Sequence, residues 1–258
     1  MARILSVSNQ KGGVGKTTTA VNLAASLAAA DVPTLLVDLD PQGNAGSGLG
    51  FPKDADQPTV YDALVGGVPL ADCLWQTSLP YLSLVPSTPD LTGAEIELVT
   101  MEEREFRLKK ALEPLARKFS VILLDCSPSL GLLTLNALTA AKRVLVPLQC
   151  EYYALEGISQ LMRTIDLVQS GLNTDLALEG ILLTMYDARN NLARQVETEI
   201  RGHFGKKVFE TVIPRNVRLS ESPSHGRAVN QYDPRSTGAK AYEALAAELL
   251  KRWGKGAR

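Results

Sequence analysis

The stretch from residue 10 to residue 18, Gln-Lys-Gly-Gly-Val-Gly-Lys-Thr-Thr, constrains what this chain can fold into more than any other. An apolar run precedes it, with Ile4, Leu5 and Val7 around Ser6, and alternates like a strand entering a sheet. Residues 19–27 follow, rich in Ala and Leu, and predict a helix. Strand, glycine loop and helix in that order form the setting that a phosphate-binding loop requires. Gly12, Gly13 and Gly15 let the backbone turn tightly and aim its N–H groups inward around Val14. The helix N-terminus, at Thr17 and Thr18, brings its partial positive charge to the same place. Lys16 then reaches the terminal phosphates, and the Thr17 hydroxyl binds magnesium.

The general form G-x-x-x-x-G-K-[ST] is not matched throughout. Gln10 stands where the first glycine belongs, and a second lysine, Lys11, opens the loop. Lys16 already neutralises the phosphates of its own nucleotide, so a second loop cation calls for another anion. The K-G-G-x-G-K-T-T pattern resembles the deviant Walker A box of the ParA/MinD ATPases, a family that includes the nitrogenase iron protein. The resemblance implies that Lys11 crosses a dimer interface to the partner's nucleotide.

At 258 residues, with 45% apolar content, the chain is long enough for one large α/β domain spanning residues 1–258. Aromatics are 5%, which predicts an aliphatic core. The formal net charge of -1 excludes a uniformly basic nucleic-acid binder but leaves room for a local patch. Cys73, Cys126 and Cys150 show no C-x-x-C spacing, and with no signal peptide they read as reduced and cytoplasmic. No apolar run approaches the roughly 20 residues of a membrane span.

Residues 34–38 predict a buried strand continuing into Asp40-Pro41-Gln42-Gly43-Asn44, with Asp38 and Asp40 leaning the same way at its C-terminal end. The alternative is a pair of solvated turn aspartates. The D-x-D-P-Q-G-N run resembles switch I of ParA proteins, which implies that Asp40 positions the attacking water and stands near the metal. Residues 61–64 predict a short helix, 82–86 a strand, and 95–117 an amphipathic helix interrupted near Pro114. Residues 121–125, four apolar positions ending in Asp125, carry the Walker B signature, which delivers a carboxylate toward magnesium. Cys126-Ser127-Pro128-Ser129 takes the place of switch II, where related sequences often have two adjacent prolines. Further strands are predicted over 144–148, 178–185 and 208–213, and a final helix over 240–253. Strands alternating with helices argue for a single doubly wound, mostly parallel β-sheet flanked by helices.

No Asn-Lys-x-Asp guanine box is present, which favours adenine. The resemblance places Met185, Pro214 and Asn216 around that base, and Glu151 to Gly157, with Tyr152 and Tyr153, at a dimer face; simple packing is the other role open to the two tyrosines. Residues 186–235 hold nine basic and six acidic side chains, a local excess of +3 on an otherwise acidic chain. That excess fits either a duplex-binding face or scattered surface arginines. The stretch resembles the chromosomal ParA (Soj) subgroup, which implies that Arg189 and Arg218 bind the DNA backbone without sequence preference. The implied cycle uses ATP and Mg2+, a face-to-face homodimer when ATP-bound, non-specific double-stranded DNA of the nucleoid, and a ParB-type centromere-binding protein that stimulates hydrolysis. Three rivals stand beside it. They are a MinD-like positioning ATPase with an amphipathic tail at residues 249–255, an iron–sulfur carrier, and a protein that holds nucleotide only as a structural ligand.

Overall fold

The computed structural model describes residues 2–52, 55–151 and 154–254. The strands are β1 (Arg3–Val7), β2 (Thr34–Leu39), β3 (Trp75–Gln76), β4 (Leu82–Val85), β5 (Val121–Cys126), β6 (Arg143–Gln149) and β7 (Ala177–Thr184). They form one sheet in the order β3-β4-β2-β5-β1-β6-β7, parallel except for the β3–β4 pair at one edge. All six residues of β2 and all six of β5 are buried, as expected of central parallel strands covered on both faces.

The alternation of side chains along the strands divides the core into two layers. Leu35, Val37, Ile122 and Leu124 point to one, and Leu36, Leu5, Val7 and Leu123 to the other. On the first face lie α3 (Val60–Leu64), α4 (Leu91–Glu97), α5 (Arg107–Leu112), α6 (Leu132–Ala140), α7 (Ala154–Gly171) and α8 (Asn191–Phe204). The second face is covered by α1 (Lys16–Ala29), α2 (Asn44–Gly48), α9 (Val217–Glu221), α10 (Val229–Tyr232) and α11 (Thr237–Trp253). The helix α11 buries Tyr242, Leu245 and Leu249, each such leucine contributing about 1.5–3 kcal/mol of burial. Its N-terminus is capped by Ser236, whose hydroxyl accepts from the Ala239 N–H.

Three expectations change. The helix expected over 95–117 is two short helices, α4 and α5, separated by a turn in which Glu103 has φ 50°. A left-handed residue cannot sit inside a right-handed helix, yet Leu108, Leu112 and Leu115 still reach the core. The strand expected over 208–213 does not form; the segment meets β7 at its two ends, where Phe209 and Ile213 donate to the Ile181 and Leu183 carbonyls (2.9 and 2.8 Å) and Val208 forms an isolated bridge with Ile181. Glu248 of α11 accepts the N–H groups of Glu210 and Thr211 (3.0 and 2.9 Å), which keeps them from a ladder. The strand β2 ends at Leu39, so the alternation that would turn Asp38 and Asp40 the same way stops before Asp40. The expected strands over 34–38, 82–86, 121–125 and 144–148 and the final helix are all present, and Tyr152 and Tyr153 lie outside the described residues.

Candidate nucleotide site

The strand β1 ends at Val7, and the loop after it turns into α1 at Lys16. Gly13 and Gly15 have φ of 74° and 83°, a left-handed conformation that only glycine adopts freely, so the turn could not be made with side chains there. The Thr184 hydroxyl at the end of β7 donates to the Val14 carbonyl (2.8 Å) and pins the loop to the sheet. Asn9 braces its start, donating to the Pro147 carbonyl (2.7 Å) and accepting from the Lys11 N–H (3.0 Å). The first turn of α1 carries no side-chain cap and no acidic residue, so its N–H groups face the loop unclaimed. Residues 12–18 thus make a tight glycine turn that leads into the N-terminus of α1, the shape expected of a phosphate cradle. Lys16 is buried and donates to the Lys11 carbonyl (2.9 Å) across the loop. Burial lowers its pKa, and Asp125, Cys126 and Asp40 oppose that shift.

Asp125 and Asp38 are in register on adjacent strands. Both are fully buried, but the protein treats them differently. Asp38 accepts three backbone N–H groups, those of Asp40 (3.1 Å), Ala45 (3.0 Å) and Gly46 (3.2 Å). It thus folds the switch I turn and caps α2, and it is not turned toward a ligand. Burial raises its pKa to about 7, against those hydrogen bonds. Neither oxygen of Asp125 has a partner in full hydrogen-bond geometry, though the Thr17 hydroxyl stands beside the carboxylate. Burial raises its pKa well above the usual carboxylate value, and the neighbouring Asp38 adds to the shift; the Thr17 hydroxyl and Lys16 oppose it. A buried carboxylate with both oxygens open, beside a hydroxyl, is an oxygen donor set that suits a hard divalent cation. Among the described residues no cluster of three His, Cys, Asp or Glu could hold a metal alone. That matches Mg2+, which takes one or two carboxylates and completes its shell with phosphates and water. Asp40 sits in the turn after β2, with its carboxylate accepting the Gln42 N–H (3.0 Å).

Beside the loop lies a cavity of about 270 Å³, lined by Gly15, Thr18, Met185, Pro214, Asn216 and Tyr242 among others. Met185, Pro214 and Asn216 are thus brought together next to the cradle, although Met185 and Asn216 are 31 positions apart in the chain. Met185 has φ 49°, a strained conformation for a residue with a side chain, held at the rim of the cavity. Asn216 spends its side chain on the protein: its oxygen accepts the Arg218 N–H (2.8 Å) and its amide donates to Thr237 (2.6 Å). It shapes the cavity wall through those bonds. A larger open depression, about 830 Å³, lies beside Glu179 of β7, between α8 and α11. Arg201 there pairs with Glu197, Arg252 with Glu248 and Lys207 bonds the Leu178 carbonyl, and it lies apart from the glycine loop.

Lys11 stands at the mouth of the loop and pairs with Glu151 of the same chain, both side chains close to half exposed. Sequence reasoning sought an anion for Lys11 only in a second subunit; in the single chain Glu151 supplies one. Arg189 pairs with Asp187 (2.9 Å), and Arg218 with Glu221 (2.7 Å) and Asp233 (3.3 Å). The hydrogen bonds from Arg189 pull Asp187 down to about 2. The three cysteines are free and buried, and burial pushes each thiol up to about 11, which suits inert core residues and not ligands at a subunit interface. Asp38 and Glu248 are structural carboxylates that sequence patterning missed. Asp38 offered a signal, two residues before Asp40 in a turn-rich run; Glu248 offered none, because its partners are 38 and 37 positions away.

A family model described as an AAA domain (AAA_31) matches residues 2–178. Over 252 residues the chain is 63% identical to the chromosome partitioning protein ParA of Myxococcus xanthus, covering 98% of this chain and 89% of that one. It is 57% identical over 249 residues to the sporulation initiation inhibitor protein Soj of Bacillus subtilis, covering 96% and 98%. The chain belongs to the ParA/Soj family of chromosome-partitioning ATPases. A solved structure named cobyrinic acid a,c-diamide synthase from Mycobacterium smegmatis, with bound ATP analogue and magnesium, superposes with a TM-score of 0.86 at 41% identity, covering 99% of this chain and 97% of that one. The two ParA/Soj relatives cover 98% and 96% of this chain, so the likeness is not confined to the loop after β1. The apolar face of α11 is buried on the sheet, and no helix among the described residues is long and apolar enough to cross a membrane.

Proposed function

We propose that this chain is an ATP-driven partitioning switch that binds DNA as an ATP-bound dimer and lets go on hydrolysis. The observation that carries the reading is the pairing of two lysines with different surroundings. Lys16 is buried within a complete one-subunit phosphate cradle. Lys11 sits at the mouth of the same loop on an exposed ion pair that is cheap to break, since such pairs are worth about 0–1 kcal/mol. A second subunit closing over the loop offers Lys11 a triphosphate in place of Glu151.

In this reading Lys16 and the N–H groups of residues 12–18 bind the phosphates, and the cavity at Met185, Pro214 and Asn216 takes adenine. Thr17, Asp125 and Asp40 would hold magnesium, which neutralises phosphate charge when bound. Asp40 orients the attacking water, and Lys11 adds charge from the neighbouring subunit. Phosphoryl transfer of this kind depends on positioning and charge stabilisation. The dimer binds nucleoid DNA in the cytoplasm through Arg189 and Arg218, and a ParB-type partner stimulates hydrolysis and release. Co-sedimentation with DNA in ATP, ADP and no nucleotide tests the scheme. Binding is expected with ATP alone; binding to vesicles and not to DNA would overturn it in favour of a MinD-like positioning ATPase.

A further inference from the structure

The helix α6 begins just beyond the loop that leaves Asp125, and it has no cap of its own, because its N-cap residue is Gly131. The cap comes from α4. Glu95 accepts the Leu132 N–H at 2.8 Å and the Leu133 N–H at 3.3 Å through its two oxygens. A carboxylate is also the charge that a helix N-terminus favours. Gly131 makes the approach possible: a Cβ there would lie 2.3 and 2.4 Å from the Glu95 oxygens. Its φ of -80° and ψ of -170° suit any residue, so space is the reason for glycine. In return α6 sends the buried Asn136 toward α5, where its oxygen accepts the Leu108 N–H (3.0 Å) and its amide donates to the Arg104 carbonyl (2.7 Å). The helix α5 also lacks a side-chain cap of its own. The helices α4, α5 and α6 are thus tied to one another by side chains that satisfy helix ends.

We propose that Glu95 is a positioning residue for ATP hydrolysis. The loop 126–131 runs between two anchors, Asp125 in β5 and the first turn of α6, and Glu95 fixes the second. Inside the loop the Ser127 and Ser129 hydroxyls share a hydrogen bond (2.9 Å), and Thr134 of α6 donates to the Ser129 carbonyl (2.6 Å), so the loop's course follows the helix start. This inference rests on the ATPase assignment and concerns the turnover step, not nucleotide binding. Glu95 acts through α6 and makes no bond to Asp125, Lys16 or Thr17.

The test combines steady-state ATPase measurements over a range of ATP concentrations with hydrogen exchange at the Leu132 and Leu133 amides. Glu95→Ala is expected to lower kcat by about threefold to thirtyfold, the scale of a lost helix cap, and to speed exchange at both amides. The KM for ATP stays within about twofold, because the cradle is untouched. Glu95→Gln keeps one acceptor oxygen and gives a smaller loss. Gly131→Ala displaces the carboxylate without removing it and lowers kcat in the same way; combined with Glu95→Ala it adds nothing further, since both act through one contact. The proposal is overturned if kcat is unchanged in Glu95→Ala while both amides exchange faster, or if Gly131→Ala keeps its full effect without Glu95. Where Glu95→Ala does not fold, unchanged kcat in both Glu95→Gln and Gly131→Ala overturns it equally. A failure of the ATPase assignment itself shows separately, as absent turnover in the unaltered protein.

Discussion

Lys16 and Asp40 lie at the same end of the sheet, yet their loss is expected to affect different steps. Lys16 is the buried cation of the loop, and its ammonium is held toward the cradle by the Lys11 carbonyl. Lys16→Ala removes the one cation aimed at the phosphates within the subunit, so ATP binding is expected to disappear; nucleotide titration by fluorescence or calorimetry checks this, and wild-type affinity would refute the loop assignment. Asp40 occupies the turn after β2, near enough to act on the Lys16 charge, and Asp38 braces that turn with three backbone hydrogen bonds. Asp40→Ala loses the bond to the Gln42 N–H but keeps those three, so the turn is expected to stand. The variant is expected to bind ATP and dimerise while hydrolysing about 10²–10⁴-fold more slowly, the usual cost of losing a positioned proton-transfer group. Normal phosphate release by that variant would make Asp40 a turn residue only.

At the scale of elements, α11 decides between a packed helix and a membrane tail. Its apolar positions Tyr242, Leu245 and Leu249 are buried against the α1 side of the sheet, and Arg252 is held by Glu248, the Val208 carbonyl and the Phe209 ring. Leu249→Ala is expected to destabilise the protein by about 2–5 kcal/mol in denaturant titration, with ATP affinity unchanged. Destabilisation near zero would mean that the helix is not part of the core. The elements legible in the sequence are those whose signal is local. The P-loop is a glycine spacing, β2 and β5 are apolar runs ending in Asp, and α11 has apolar residues at helical intervals. The elements misread were settled by distant residues. The segment after Val208 carries strand-like residues, but Glu248 takes the N–H groups of Glu210 and Thr211 in its middle; the charged stretch from residue 95 to 117 has helical periodicity, but Glu103 turns left-handed in its middle. The same limit applies at the site: Lys16, Thr17 and Asp125 follow from motif and strand, whereas the gathering of Met185, Pro214 and Asn216 around one cavity came from resemblance, since no spacing rule joins β7 to the start of α9.

For the whole molecule, the proposed switch would read nucleotide state as the number of charged surfaces that stand together. Lys11→Ala should bind ATP and remain monomeric by light scattering, because the proposed partner anion is in the other subunit; a persisting ATP-dependent dimer would remove the cross-subunit role. The proposed DNA face would depend on the same pairing of subunits. Arg189 and Arg218 lie on separate stretches, one after β7 and one in α9, and a dimer presents four such arginines. Each neutralised phosphate contributes about -0.9 to the slope of log affinity against log salt, so four contacts give roughly -3.6 and a monomer with two about half. The structure adds a condition. Asp187 holds Arg189, whose side chain is 91% exposed, while Glu221 and Asp233 hold Arg218, so at the proposed face DNA phosphates would have to replace carboxylates already in place. Arg189→Glu with Arg218→Glu is expected to abolish DNA binding and leave ATP-dependent dimerisation intact. Asp187→Asn, which frees Arg189 and removes a charge that repels phosphate, is expected to tighten binding at low salt without sequence preference, since phosphate contacts carry no base information. A salt titration with a non-hydrolysed ATP analogue measures all three proteins. If the double charge reversal binds as the unaltered protein does, the DNA face lies elsewhere on the dimer; if Asp187→Asn weakens binding, Asp187 orients Arg189 for the phosphate instead of competing with it.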